Sequence, residues 1–256
     1  MTKKEVAQLL VEKSVEYNHP DFIQTDPIQI PHRFSKKEDI EISGFLAAVI
    51  AWGQRVTIIN NSNRLMEWMD NSPHDFILSH SESDLKPFIS FVHRTFNGDD
   101  CLTFILALKN LYENHGGLEK AIGKSFESDS QTPGSGWSNF KELFFEVPHL
   151  KRTRKHLPDP SKGSAAKRMN MYLRWMVRQD EAGVDFGIWS SMNPSQLYIP
   201  LDVHTGRVAR KLKLLKRKQD DWKAVLELNE QLRRINPQDP VHCDFGLFGL
   251  GAFEKF

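Results

Sequence analysis

The chain is short of several things, and each shortage excludes a class of protein. It holds only two cysteines, Cys101 and Cys243, among 256 residues. Two thiols are too few for the four that an iron–sulfur cluster usually takes. No Cys/His spacing resembles a zinc site, so neither cofactor nor metal is expected. A chain without a secretion signal is expected to keep both thiols reduced. No apolar run approaches the ~20 residues that a membrane span needs. The N-terminal stretch MTKKEVAQLLVEKSVEYN mixes charge into its apolar positions and reads as neither signal peptide nor anchor. The expectation is therefore a cytoplasmic protein without a membrane partner. Charge of one sign is also scarce. The net charge is +1, so overall electrostatics do not announce nucleic acid.

What is present is helix. Hydrophobic residues make up 39% of the chain, enough for a sizeable core, and they recur at helical rather than alternating spacing. Thr2 is placed to cap a helix reaching about Glu16. Ser35 followed by Glu38 has capping-box spacing and predicts a helix through FLAAVIAW, residues 45–52. Gly53 breaks it, and a helix resumes through 56–69. Further helices are predicted from near Asp99 or Asp100, over 118–126, around 140–146, over 165–178, after Asp202, over 221–235 and over about 241–249. Residues 179–199 fit no element. Residues 127–136, ESDSQTPGSG, read as a loop. About ten helices with short connections predict an all-α bundle. Basic residues concentrate in two runs, Lys151–Arg168 and Arg207–Lys218. Taken alone, each run is a solvated face.

Three segments resemble the helix-hairpin-helix DNA glycosylase superfamily, which includes endonuclease III and the 8-oxoguanine glycosylases. PLDVHTGRVARKL, residues 200–212, is similar to that family's pattern around a catalytic aspartate, with Asp202, His204 and Arg207 at the matching places. GSAAKRMNMYL, residues 163–173, resembles its glycine hairpin and following helix, with Gly163, Lys167 and Asn170 matching. FLAAVIAWGQRVTIINNSNRL, residues 45–65, is similar to an early helix pair whose linker carries a glutamine that enters the DNA stack, here Gln54. The chain departs from the family where the second hairpin glycine is Ala165 and where Arg168 follows the lysine. Lys167 and Asp202 are 35 positions apart, longer than in endonuclease III and closer to archaeal 8-oxoguanine enzymes. The strings LRWMVR and PLDVHTGRVARKL also resemble a bacterial family of unknown function.

The resemblance implies a two-lobed fold with its cleft between lobes. One lobe would cover about 35–175, and the other would join 1–34 to 176–256. It implies that Lys167 and Asp202 are catalytic in base excision on DNA, with an oxidised purine as first substrate. Gln54, Gly163, Ser164, Arg168, His204, Arg207 and Lys211 would contact the nucleic acid. A carboxylate stabilises the positive charge that develops on a sugar as its glycosidic bond breaks, and a neutral lysine amine attacks the sugar carbon to form a Schiff base. Simpler readings stand beside these. Asp before a helix is a routine N-cap, a glycine in a turn relieves strain, and His204, Arg207 and Lys211 share a helix face that meets either phosphate or water. Two other functions fit the same residues: a non-catalytic nucleic-acid-binding protein, and an enzyme acting on RNA or free nucleosides.

Overall fold

The computed structural model describes residues 1–256 and is mostly helical. Twelve α-helices follow one another: α1 Lys3–Tyr17, α2 Lys37–Val49, α3 Arg55–Trp68, α4 Pro73–Ser79, α5 Lys86–Ile89, α6 Gly98–Asn114, α7 Gly117–Ser125, α8 Ser135–Phe144, α9 Lys167–Val177, α10 Val203–Lys211, α11 Trp222–Ile235 and α12 Cys243–Ala252. The only sheet is a two-residue antiparallel ladder, β1 Val92–His93 with β2 Phe96–Asn97. No helix is long and apolar enough to cross a membrane. Both cysteines are buried free thiols.

The capping chemistry follows the sequence at three helices and departs from it at one. Thr2 and Glu5 form a reciprocal capping box at α1, and Asp202 and Asp221 cap α10 and α11. Ser35 caps nothing. Helix α2 starts at Lys37, its N-cap Lys36 gives no side-chain bond, and Glu38 and Asp39 place acid in the first turn instead. Acidic groups there offset the positive end of the helix dipole.

Chain contacts divide the molecule into two units, Thr25–Pro158 and the pair Met1–Gln24 with Asp159–Phe256. The sequence expectation sets the boundaries near 34 and 175; the contact division instead groups α9 with the later residues. The physical reason lies in α9. Its Asn170 amide donates to the Ile199 carbonyl (3.4 Å), its Arg174 reaches Asp185 and Asp244, and its Met176 carbonyl accepts from Trp189 N–H. The glycine hairpin and the helix after it therefore belong to the unit that carries Asp202, not to the lobe they were expected to close.

In the contiguous unit α2 is central: every residue from Asp39 to Val49 is buried, and Phe45 meets the rings of Phe104, Phe140 and Phe144. Buried Asp100 accepts from Asn97 N–H, Arg152, the Thr153 hydroxyl and His156 Nε2. It ties α6 to the basic stretch after residue 150. In the discontinuous unit α12 packs against α1 and α10. Close approach requires Gly249, where a Cβ would lie 2.0 Å from the Tyr17 ring.

Candidate functional site

Helix α9 begins at Lys167, directly after the hairpin. Gly163 takes φ +89° with open space around its α-carbon, so its glycine serves the backbone alone. The second left-handed residue is Ala166, at φ 52°, rather than Ala165. The hairpin is anchored on α11: the Gly163 carbonyl accepts from Trp222 N–H (3.2 Å), and Ser164 bridges Asp221. Three amides of the hairpin are committed within the chain. Gly163 N–H donates to the Pro160 carbonyl, Ser164 N–H to the Asp159 carbonyl, and Ala166 N–H to the Ser164 hydroxyl. The α9 N-terminus itself has no side-chain cap.

Lys167 is half-buried, and its Nζ meets the Met171 sulfur at 3.6 Å, a weak acceptor. The alternative amine, Lys162, is exposed and pairs with Asp159. Arg168 is also half-buried, and burial lowers its guanidinium to about 10, still protonated at neutral pH.

Asp202 is held from two sides. In the segment before it, Ile199 N–H donates to Asn229 Oδ1 (2.8 Å), and the Asn229 amide donates to the Leu197 carbonyl (2.9 Å). Asn170 of α9 binds the Ile199 carbonyl. The asparagine of the hairpin motif thus joins that motif to the aspartate motif. Asp202 Oδ1 accepts from Thr205 N–H at 2.9 Å, which leaves Oδ2 for other work.

The structure adds a residue that sequence reasoning missed. Asp244 of α12 is buried and accepts from Arg174 Nη1 at 2.5 Å. Its carboxyl is raised to about 6, chiefly by burial and further by the negative charge of Asp202, against the pull of Arg174 and Lys167. Asp244 therefore feels the charges of both Lys167 and Asp202, which draws the two sequence motifs into one electrostatic neighbourhood. Behind it, Arg174 and Arg178 share Asp185, Arg178 also binds Asp180 and Asp239, and both guanidiniums lie over the Phe245 ring. The sequence held a signal for this: Asp244 is the one charged residue in an otherwise apolar, glycine-rich α12.

The remaining candidates divide. His204, Arg207 and Lys211 do share a face of α10, but it faces α12 and the C-terminal tail. His204 lies against Phe248, Arg207 donates to the Gly251 carbonyl (2.6 Å), and Lys211 sits over the Phe256 ring. His204 Nδ1 and Thr205 Oγ1 are buried without a hydrogen-bond partner. Gln54 is exposed at the N-terminus of α3, in the contiguous unit. Several members of the basic runs are ion-paired: Arg152 with Asp100, Arg154 with Glu142, Arg210 with Asp220 and Arg217 with Asp221.

No curated protein and no solved structure matches the chain. A family model described as a protein of unknown function (DUF2400) matches residues 26–253, and the chain belongs to that family.

Proposed function

We propose that the protein is a base-excision enzyme of the helix-hairpin-helix glycosylase type, with Lys167 as nucleophile and Asp202 as the group that stabilises the sugar cation. The observation that carries this reading is the bond from Asn170, on the helix that Lys167 begins, to the Ile199 carbonyl just before Asp202, which ties the two motifs together. Two supporting facts concern the pair itself. The Lys167 amine makes one weak hydrogen bond, to the Met171 thioether, and no ion pair. Asp202 caps α10 with one oxygen and keeps the other uncommitted.

In the proposed reaction the neutral Lys167 amine attacks C1′ of the target nucleotide. The bond from C1′ to the base breaks as that bond forms, and the base leaves with a proton taken from water or an acid. Negative charge on Asp202 is most valuable while C1′ is cationic. The attached nitrogen then loses one proton to solvent, and its second proton passes to the ring oxygen O4′ as the C1′–O4′ bond breaks, leaving an imine between Nζ and C1′. A target inside a duplex must first leave the base stack. Oxidised purine is the first substrate class to test, by analogy with the archaeal enzymes.

The experiment is borohydride trapping on a panel of damaged duplexes. Borohydride reduces the imine to a stable secondary amine, giving a covalent protein–DNA adduct. Wild type should trap on at least one lesion, and Lys167→Gln should trap on none while binding DNA. A trapping Lys167→Gln variant would reassign the nucleophile. A second reading is a binding protein of the same fold that has lost catalysis. That protein would bind DNA and leave no covalent adduct on any lesion.

A further inference from the structure

A cavity of about 450 Å³ opens where the start of α1 meets the end of α10 and the last turn of α11. Its size is that of a small-molecule site, which spans about 300–1,000 Å³. Val6, Ala7, Leu212, Leu214 and Ile235 make an aliphatic floor. Lys3, Lys4, Lys213 and Arg234 line it as well, together with the neutral amide of Gln231, and no acidic residue does. Arg234 is paired with Glu230, but Lys3, Lys4 and Lys213 make no ion pair. The cavity lies at the opposite end of α10 from Asp202, about 14 Å along nine residues of helix.

Three of these cations sit where local rules disfavour them. Lys3 and Lys4 are the first residues of α1, at the positive end of its dipole, where anions are stabilised and cations are not. Lys213 occupies φ 61° in the turn that ends α10. There Lys213 N–H donates to the Arg210 carbonyl and Leu214 N–H to the Ala209 carbonyl. That pattern places Lys213 at the position helices usually give to glycine. Backbone strain that neither packing nor pairing explains points to a use for the side chain.

We infer that this cavity binds one amphipathic anion, an aliphatic tail of about ten carbons with a single acidic head, the medium-chain fatty acids being the simplest such class. The apolar floor takes the tail, and the three unpaired lysines take the head. No aromatic ring lines the cavity, so a nucleobase has nothing to stack on.

The test is titration calorimetry and thermal melting of the full chain with monomeric decanoate, decanol and inorganic phosphate. Decanoate should bind once per chain and raise the melting temperature. Decanol and phosphate should each bind at least tenfold more weakly. The variant Lys3→Gln/Lys4→Gln/Lys213→Gly should melt no lower than wild type without ligand, because each change relieves a local conflict, and should lose decanoate affinity at least tenfold. Four results would each overturn the inference: no decanoate binding at 1 mM, decanol binding as tightly as decanoate, phosphate alone binding as tightly, or unchanged decanoate affinity in the triple variant.

Discussion

Asp202 carries two demands at once, and substitution separates them. Asn caps about as well as Asp, whereas Ala forfeits the cap at a cost of about 1 kcal/mol. Asp202→Asn should therefore melt close to wild type while its single-turnover rate falls about a hundredfold, as when a preorganised electrostatic group is lost. Asp202→Ala should lose both. Normal turnover in Asp202→Asn would make the residue purely structural. Asp244 makes a different statement, about pH. Its carboxyl is raised from 3.8 to about 6, first by burial and then by Asp202, against the pull of Arg174 and Lys167. Between those two values the folded chain holds a proton that the unfolded chain has released. Its contribution to stability is thus full below about pH 4 and declines as pH rises through about 6. Asp244→Asn should flatten this slope in melting temperature against pH; a slope unchanged in that variant would assign the titration to another group.

At the scale of elements, two asparagines and one glycine position the hairpin, α9 and the segment before Asp202. Gly163→Ala meets no atom, so its cost is backbone strain alone, about 1–2 kcal/mol, visible as a melting temperature lowered by a few degrees. Asn229 is fully buried and uses both ends of its amide on the segment before Asp202. Asn229→Ala strands a buried N–H and a carbonyl and should cost about 1–3 kcal/mol, with activity falling further than stability because Asp202 loses its seat. Equal loss in both readouts would show that Asn229 supports the fold without aiming the carboxylate. Much of this level was legible in sequence. Thr2, Asp202 and Asp221 cap as their side chains and spacing require. Ser35 did not, because its helix starts two residues beyond it. The β1–β2 ladder is too short to leave an alternating pattern, and its turn holds Arg94 at φ 56° where a glycine would have announced it.

For the molecule as a whole, charge was the least legible property. The two basic runs read as solvated faces, yet Arg152, Arg154, Arg210 and Arg217 are spent on ion pairs within the chain. Asp244 was hidden for the converse reason: an acid in an apolar helix reads as a flaw in the pattern until its arginine partners from α9 are seen. Pairing across 70 positions, as between Arg174 and Asp244, leaves no local signature. The internal pairing tempers the salt dependence of DNA binding. Each phosphate neutralised contributes about −0.9 to the slope of log affinity against log salt, and the basic residues without an acidic partner contribute most. Binding should weaken with salt, though less than two fully exposed basic runs would dictate. Salt-insensitive binding would argue against contact with the phosphate backbone.

The central claim is that one lysine, placed by the hairpin, forms the covalent bond. Peptide mapping of the borohydride-reduced adduct by mass spectrometry tests it most directly. The sugar remnant should sit on Lys167, within the peptide that follows Gly163. A remnant on Lys162, on the N-terminal amine or on any other lysine would contradict the assignment.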